Sequence, residues 1–163
     1  MKKAVLYINQ FFGQIGGEDK ADCKTIIREG LVGPALLLQQ HLRDTEITHT
    51  IICGDNYISS NENEALSLIL EFLKDKKTDI FFAGPAFNAG RYGVACGLVC
   101  KRVNENLGIS AVTSMNEENP GVELFRKYVY ILKGGRSAAD MRNNIKKMAE
   151  LGTKLISGVK LDS

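Results

Sequence analysis

The stretch that decides the fold is Phe81-Phe82-Ala83-Gly84-Pro85-Ala86-Phe87-Asn88-Ala89-Gly90-Arg91-Tyr92-Gly93. Together with Ile80, its first residues form a short, fully apolar run that predicts a buried strand. A Gly-Pro turn ends this strand, and a helical pattern starts at Gly90. A strand, a polar turn and a helix in this order are typical of an open α/β sheet, where such turns bind ligands.

The size and composition of the chain are those of one globular domain, residues 1–163. Hydrophobic residues make up 44% of the chain and charged residues 25%. The net charge of +2, with Lys and Arg scattered along the chain, gives no indication of nucleic-acid binding. No apolar run is long enough to predict a membrane span, and no signal-peptide pattern follows Met1. We therefore expect a cytoplasmic protein.

Strands and helices alternate along the sequence. The predicted strands cover residues 4–8, 48–53, 79–83, 109–113 and 129–132. Helical patterns lie between the first four of these strands, starting near residues 34, 61 and 90, and after the last strand. Residues 9–33 are predicted to be one long, glycine-containing loop. This alternation predicts a three-layer α/β/α sandwich around a mostly parallel sheet of about five strands, flavodoxin-like or Rossmann-like.

Polar loops follow the first four predicted strands, at what should be one edge of the sheet. Asn supplies a donor and an acceptor without a charge, and an Arg in the first turn of a helix can bind a carboxylate. Turns use the same residue types, but four such loops along one edge favour a site for a small polar ligand or a partner backbone. The expected binding residues are Asn9, Gln10, Asp55, Asn56, Asn88, Arg91 and Asn119.

No catalytic or metal-binding arrangement is recognisable from the residues alone. Glu18 and Asp19 in the first loop are candidates for acid–base work, but no nucleophile can be paired with them. The glycines of that loop match neither common phosphate-binding pattern, and the four cysteines and two histidines lack the spacing of a metal site. Cys96 and Cys100 are four residues apart on an apolar helix face, which favours packing over redox chemistry.

Several motifs resemble the N-terminal part of the selenoprotein B subunit family. This family comprises the substrate-specific component of glycine, sarcosine and betaine reductases, with a related D-proline reductase branch. The resemblance covers nearly the whole chain. It is carried by Tyr7-Ile8-Asn9-Gln10-Phe11-Phe12, by Ile15-Gly16-Gly17-Glu18-Asp19-Lys20-Ala21-Asp22, by Ile52-Cys53-Gly54-Asp55-Asn56-Tyr57, by residues 83–93, and by shorter matches at 95–97, 118–122 and 125–130.

The resemblance implies a part in the reductive cleavage of the C–N bond of a small amino acid or betaine. In this family the carbon fragment passes to the selenocysteine of selenoprotein A, and a partner subunit carries a pyruvoyl group. The selenocysteine of the family's longer subunit lies far beyond the length of this chain. We therefore expect no cofactor in this chain, with the pyruvoyl group and the selenocysteine on other chains or segments.

The chain is then expected to be the N-terminal domain of a longer reductase subunit, or a short relative of it, that is not competent for catalysis alone. Two alternatives stay open. One is a non-catalytic binding or scaffold module of the same fold, and the other is a flavodoxin-like nucleotide or flavin binder. The sequence leaves the substrate open, and also whether the chain forms a homo-oligomer.

Overall fold

The computed structural model describes residues 1–158, and the predicted end of the domain at residue 163 lies outside them. The strands are β1 (Lys2–Asn9), β2 (Ile26–Glu29), β3 (Thr45–Cys53), β4 (Ile80–Ala83), β5 (Ser110–Met115) and β6 (Tyr130–Lys133). The helices are α1 (Pro34–His41), α2 (Asp55–Ser60), α3 (Glu62–Lys74), α4 (Gly90–Leu107), α5 (Pro120–Phe125) and α6 (Met141–Ile156). Among residues 1–158, no helix combines the length and the apolarity that crossing a membrane requires.

The strands form one sheet in the order β2-β3-β1-β4-β5-β6. Five of them run parallel, and only β2 is antiparallel to its neighbour β3. Without β2, the order is that of the flavodoxin-like doubly wound sheet. The predicted α/β/α sandwich with a mostly parallel sheet is therefore confirmed.

The central strand β1 is buried on both faces, which explains its continuous apolar sequence. Because side chains alternate along a strand, Ala4, Leu6 and Ile8 pack in one cluster with residues of α1 and α6. Val5 and Tyr7 pack in the other cluster with residues of α3 and α4. The two clusters hold helices on both sides of the sheet and bring the carboxyl ends of the parallel strands to one edge.

The prediction of a single loop over residues 9–33 is wrong in its second half. Residues Ile26–Glu29 form β2, which pairs with β3 from Ile52 back to His49. A short 3₁₀ turn, Glu18–Lys20, lies in the first half of the same segment. A four-residue strand at a sheet edge, with no buried residue, carries too little alternation to be recognised from sequence.

Two short helices also escape the sequence pattern. Helix α2 begins directly after β3, and α5 occupies the segment after β5, which was expected to be loop. Each has six residues, fewer than two full turns, so neither shows a helical hydrophobic period. Both lie at the carboxyl edge of the sheet and shape the site described next.

Candidate functional site at the switch point of the sheet

The crevice between the carboxyl ends of β1 and β4 is where a sheet of this order binds ligands. The chain leaves β1 toward β3 on one side and returns to β4 on the other, so the strand order reverses between β1 and β4. The loops that follow β1, β4 and β6, together with the start of α2, surround a cavity of about 450 Å³ at this point. We call it the switch-point cavity. Its volume is within the usual range for a small-molecule site.

Three buried residues tie the end of β1 to the start of α2. The amide Nδ2 of Asn9 donates to Oδ2 of Asp55 at 3.0 Å, and its Oδ1 accepts from the backbone N–H of Phe12. The side chain of Gln10 accepts from the backbone N–H of Asp55 at 3.0 Å. These bonds fix the position of the Asp55 carboxylate at the wall of the cavity.

The Asp55 carboxyl group is the most buried carboxyl group of the site. The residue is only 7% exposed, and its Oδ1 has no hydrogen-bond partner among the described residues. Burial raises the pKa of this carboxyl group, while the amide of Asn9 and the guanidinium of Arg91 act in the opposite direction. A carboxyl group whose pKa is raised by burial, at the wall of a cavity, is a candidate for a functional site.

Asp55→Asn is expected to stabilise the isolated chain at neutral pH, by about 1 kcal/mol. The native pKa of Asp55 lies above its unfolded value, so the folded chain retains a proton that the unfolded chain has already released. Between the unfolded and the native pKa of Asp55, the free energy of unfolding of the wild type falls as pH rises. The variant has no carboxyl group at this position, so its free energy of unfolding does not fall for this reason. Urea unfolding from pH 4 to pH 8 measures the difference.

The stabilisation by Asp55→Asn should grow as pH rises from about 4 toward neutrality. Asp75→Asn, at the exposed end of α3, controls for the loss of one negative charge. If the difference in the free energy of unfolding stays constant over this range, burial does not raise the pKa of Asp55.

An ion pair lies between two of the residues that line the cavity. Nη2 of Arg91, in the first turn of α4, lies 2.5 Å from Oε1 of Glu18, in the loop after β1. Both residues line the cavity, and both side chains are substantially exposed, Arg91 at 46% and Glu18 at 70%. The pair joins segments that are 73 positions apart in the chain.

A second arginine reaches the cavity from the loop after β6, and sequence reasoning missed it. Arg136 and Ser137 line the cavity, and Nη2 of Arg136 is 2.9 Å from Oε1 of Glu118. The sequence could have indicated Arg136 as a binding residue, because it follows Gly134-Gly135 at the carboxyl end of the last predicted strand. The rule that places ligands at this edge applies to that loop as well.

Aromatic side chains form the apolar part of the cavity wall: Phe11, Phe12, Phe87 and Tyr92. Phe12 is the centre of this group, with its ring centroid 5.9 Å from those of Phe87 and Tyr92 and 5.1 Å from that of Phe11. The cavity therefore combines charges of both signs with an aromatic surface.

A second cavity of about 460 Å³ adjoins the first and is mainly apolar. Ile58 of α2 and Val94 and Leu98 of α4 line it, and Asp55 and Arg91 line both cavities. Asp55 and Arg91 therefore lie at the boundary between a charged and an apolar space.

The loop after β4 is held in place by Asn119. Its Nδ2 donates to the carbonyl oxygens of Phe87 and Ala89, both at 3.0 Å, and its Oδ1 accepts from the backbone N–H of Gly121 at the start of α5. Phe87 has a φ of 54°, a backbone conformation that needs such support. Gly93 is required opposite, because a Cβ at that position would lie 2.1 Å from Oδ1 of Asn119.

The predicted binding residues separate into two groups. Asn9, Gln10, Asp55 and Arg91 line the switch-point cavity together with the loop candidate Glu18. The other predicted residues do not line it: Asn56, Asn88, Asn119 and the loop candidate Asp19. Asn88 and Asp19 are exposed, Asn56 is half-buried, and the amide of Asn119 is used on the backbone of the loop.

The cysteine pair of α4 lies inside the core. Cys96 and Cys100 are both 0% exposed, and burial raises the pKa of each thiol. Protonated, inaccessible thiols act as small apolar side chains, which agrees with the packing role preferred from the sequence.

Nearby, the buried hydroxyl groups of Tyr7 and Tyr92 have no hydrogen-bond partner among the described residues, which leaves uncompensated polarity beneath the cavity.

The sequence model of one protein family, "Glycine/sarcosine/betaine reductase selenoprotein B", matches residues 1–163. Among curated proteins, the chain is 55% identical to the betaine reductase complex component B subunit beta of Peptoclostridium acidaminophilum, over 99% of this chain. It is 53% identical to the glycine reductase complex component B subunit gamma of Carboxydothermus hydrogenoformans, over 94% of the chain.

A third relative is the sarcosine reductase complex component B subunit beta of Peptoclostridium acidaminophilum, which is 52% identical over 96% of this chain. The matched segments make up 37%, 36% and 36% of these three relatives. The chain thus spans little more than a third of their length. These similarities agree with the resemblance seen in the motifs.

Proposed function

Because the chain belongs to the glycine/sarcosine/betaine reductase selenoprotein B family, we propose that it is the substrate-side domain of a component B subunit. In this role it takes part in the reductive cleavage of the C–N bond of a small amino acid or betaine. The carbon fragment then passes to selenoprotein A.

The observation that carries the proposal is the presence of both charge signs in one small cavity. Arg91 and Arg136 supply positive charge, and Glu18 and Asp55 supply negative charge. Glycine, sarcosine and betaine each hold a carboxylate and a positively charged nitrogen one carbon apart. Guanidinium groups bind carboxylates through charge-assisted hydrogen bonds, and side-chain carboxylates attract the nitrogen, so the cavity binds such a zwitterion in one orientation.

The aromatic wall can accommodate N-methyl groups on the ligand. Sarcosine has one such group and betaine has three, and each of them replaces an N–H donor of the ammonium group. The rings of Phe11, Phe12 and Phe87 line the same cavity as the carboxylates of Glu18 and Asp55, and aromatic rings contact methylated ammonium groups through apolar and cation–π interactions. The cavity can therefore hold a methylated ammonium without relying on N–H donors.

The reacting groups, in this proposal, lie outside residues 1–163. None of the four cysteines lines the cavity, and burial raises the pKa of every one of their thiols, that of Cys53 to about 11. A pyruvoyl-containing subunit and selenoprotein A are the proposed partners, and the chain binds and orients the substrate for them.

The proposal is tested by titrating the isotope-labelled chain with glycine, sarcosine and betaine and following the backbone amide signals by NMR. We expect saturable shifts at Asn9, Arg91 and Arg136, with a Kd of about 1 mM or below for at least one ligand. Residues at the opposite sheet edge, such as Glu46, serve as the internal control. Saturation with none of the three ligands would contradict substrate binding and favour the scaffold module.

A flavodoxin-like nucleotide or flavin binder is the second candidate, and the strand order favours it. FMN occupies the corresponding switch point in flavodoxin itself. The carboxylates of Asp55 and Glu18 disfavour a phosphate in this cavity. An ultraviolet–visible spectrum of the purified protein distinguishes the two candidates, because a bound flavin absorbs in the visible and an amino acid does not.

A further inference from the structure

We propose that Glu18 determines which ligands the switch-point cavity accepts, by exchanging its ion pair with Arg91 for two ion pairs with a bound zwitterion. The ligand carboxylate replaces Glu18 on Arg91, and the released Glu18 carboxylate faces the positively charged nitrogen of the ligand. This inference rests on the proposed function, because it concerns the ligands that the proposal places in the cavity.

The position of the ion pair points to exchange rather than to a structural role. Glu18 and Arg91 come from the loop after β1 and from the first turn of α4, and their side chains contact each other while both residues line the cavity. Oε1 of Glu18 therefore occupies Nη2 of Arg91, a donor that a ligand carboxylate would use. The exposed pair of Lys3 with Glu46 joins two strand starts at the opposite sheet edge and lines no part of this cavity.

Charge balance gives the exchange its selectivity. A zwitterion that enters between Glu18 and Arg91 leaves each of these two side chains, and each charge of the ligand, with an opposite partner. A ligand with a carboxylate but no positive nitrogen takes Arg91 and leaves Glu18 unpaired beside Asp55, which also carries negative charge. Carboxylates without an ammonium group, including the product acid of a C–N cleavage, are therefore disfavoured relative to the substrate.

The exposure of the Glu18–Arg91 pair lowers the cost of the exchange and limits the effect of Glu18 on ligand affinity. Ion pairs between exposed side chains are weak, so Glu18 can be displaced by a ligand at modest cost. For the same reason, the contribution of Glu18 to discrimination is limited to about fivefold in affinity. Asp55, which stays in place, accounts for the remaining preference for a positive nitrogen.

Betaine and the tert-butylacetate anion provide a matched pair of ligands. They have the same shape, and a carbon atom in the second replaces the charged nitrogen of the first. We measure the Kd of both by NMR titration at constant ionic strength, for the wild-type chain and for Glu18→Gln. Glu46→Gln, which breaks the pair with Lys3 at the opposite edge, controls for the loss of a carboxylate from an exposed ion pair.

In Glu18→Gln, the tert-butylacetate anion is expected to bind about three- to fivefold more tightly, because its competitor for Arg91 is gone. Betaine also no longer competes with Glu18 for Arg91, but it loses the carboxylate that faces its ammonium group. The ratio of the two Kd values, which measures the preference for betaine, should therefore fall by about fivefold. Glu46→Gln should show the wild-type values for both ligands.

Two outcomes would overturn the inference while leaving the proposed function intact. Equal tightening of both ligands would make Glu18 a competitor without a role in selectivity. Unchanged affinities for both would make the Glu18–Arg91 pair an ordinary surface contact. Failure of the wild type to bind betaine, sarcosine or glycine would instead remove the proposed function and this inference with it.

Discussion

The proposed function predicts that Arg91→Ala, in an assembled component B that contains this chain, raises the KM for the small substrate by about 10- to 100-fold and changes kcat little. A hydrogen bond between a guanidinium and a carboxylate contributes about 1.5–3 kcal/mol, which corresponds to this range. The oxygen atoms of the substrate carboxylate form and break no bond when the C–N bond is cleaved. Its contact with Arg91 is therefore lost equally in the ground state and the transition state, and such a loss appears in KM.

The Arg91 experiment separates binding from folding because the side chain is half exposed and contacts the fold mainly through Glu18. Thermal unfolding of the variant should follow that of the wild type closely. Arg43→Ala, an exposed arginine directly before β3 at the opposite sheet edge, is the matched control and should leave KM unchanged. Normal substrate saturation in Arg91→Ala would show that another group, such as Arg136, anchors the carboxylate.

The sequence predicts the central architecture because the central strands are buried on both faces. Segments such as Ile80–Ala83 then consist only of apolar residues, and they alternate with long amphipathic helices. Once the strands are known to be parallel, their carboxyl ends must share an edge, so Asn9, Asp55 and Arg91 can be placed near one another without coordinates.

The short edge elements could not be predicted for an equally physical reason. The strand β2 is half exposed and pairs with residues of β3 that lie 20 to 26 positions away, so its structure depends on a neighbour that local sequence does not reveal. Helices α2 and α5 are shorter than two turns and are stabilised by contacts at their ends, such as the bond from Gly121 N to Asn119.

The asparagines show where prediction of the site from sequence stops. An Asn at the end of a strand can bind a ligand, or it can satisfy the backbone of a neighbouring loop, and its sequence context is the same in both cases. The structure places Asn9 at the cavity wall and uses Asn119 on the loop backbone. The ion pair of Glu18 with Arg91 also cannot be predicted from the sequence, because no spacing rule links positions that are 73 residues apart.

Asn119→Ala is expected to lower the free energy of unfolding by about 3 kcal/mol. The substitution removes the side-chain cap of α5, worth about 1 kcal/mol, and leaves the carbonyls of Phe87 and Ala89 without their amide donor, at about 1 kcal/mol each. Phe87 then has less to hold its left-handed backbone, so the loop that borders the cavity should also become mobile. Chemical unfolding and backbone amide exchange measure the two effects.

Asn119→Asp divides the effect of Asn119 between the two elements that it joins. An aspartate still accepts from Gly121 N, so the cap of α5 survives, but it cannot donate to the two loop carbonyls and brings a negative charge against them. We expect it to destabilise the chain at least as much as alanine does. Asn88→Ala, on the same loop but exposed, should cost less than about 0.5 kcal/mol. A loss below about 1 kcal/mol in Asn119→Ala would mean that its amide is not needed by the loop and is free for a ligand, as its position after a strand predicts.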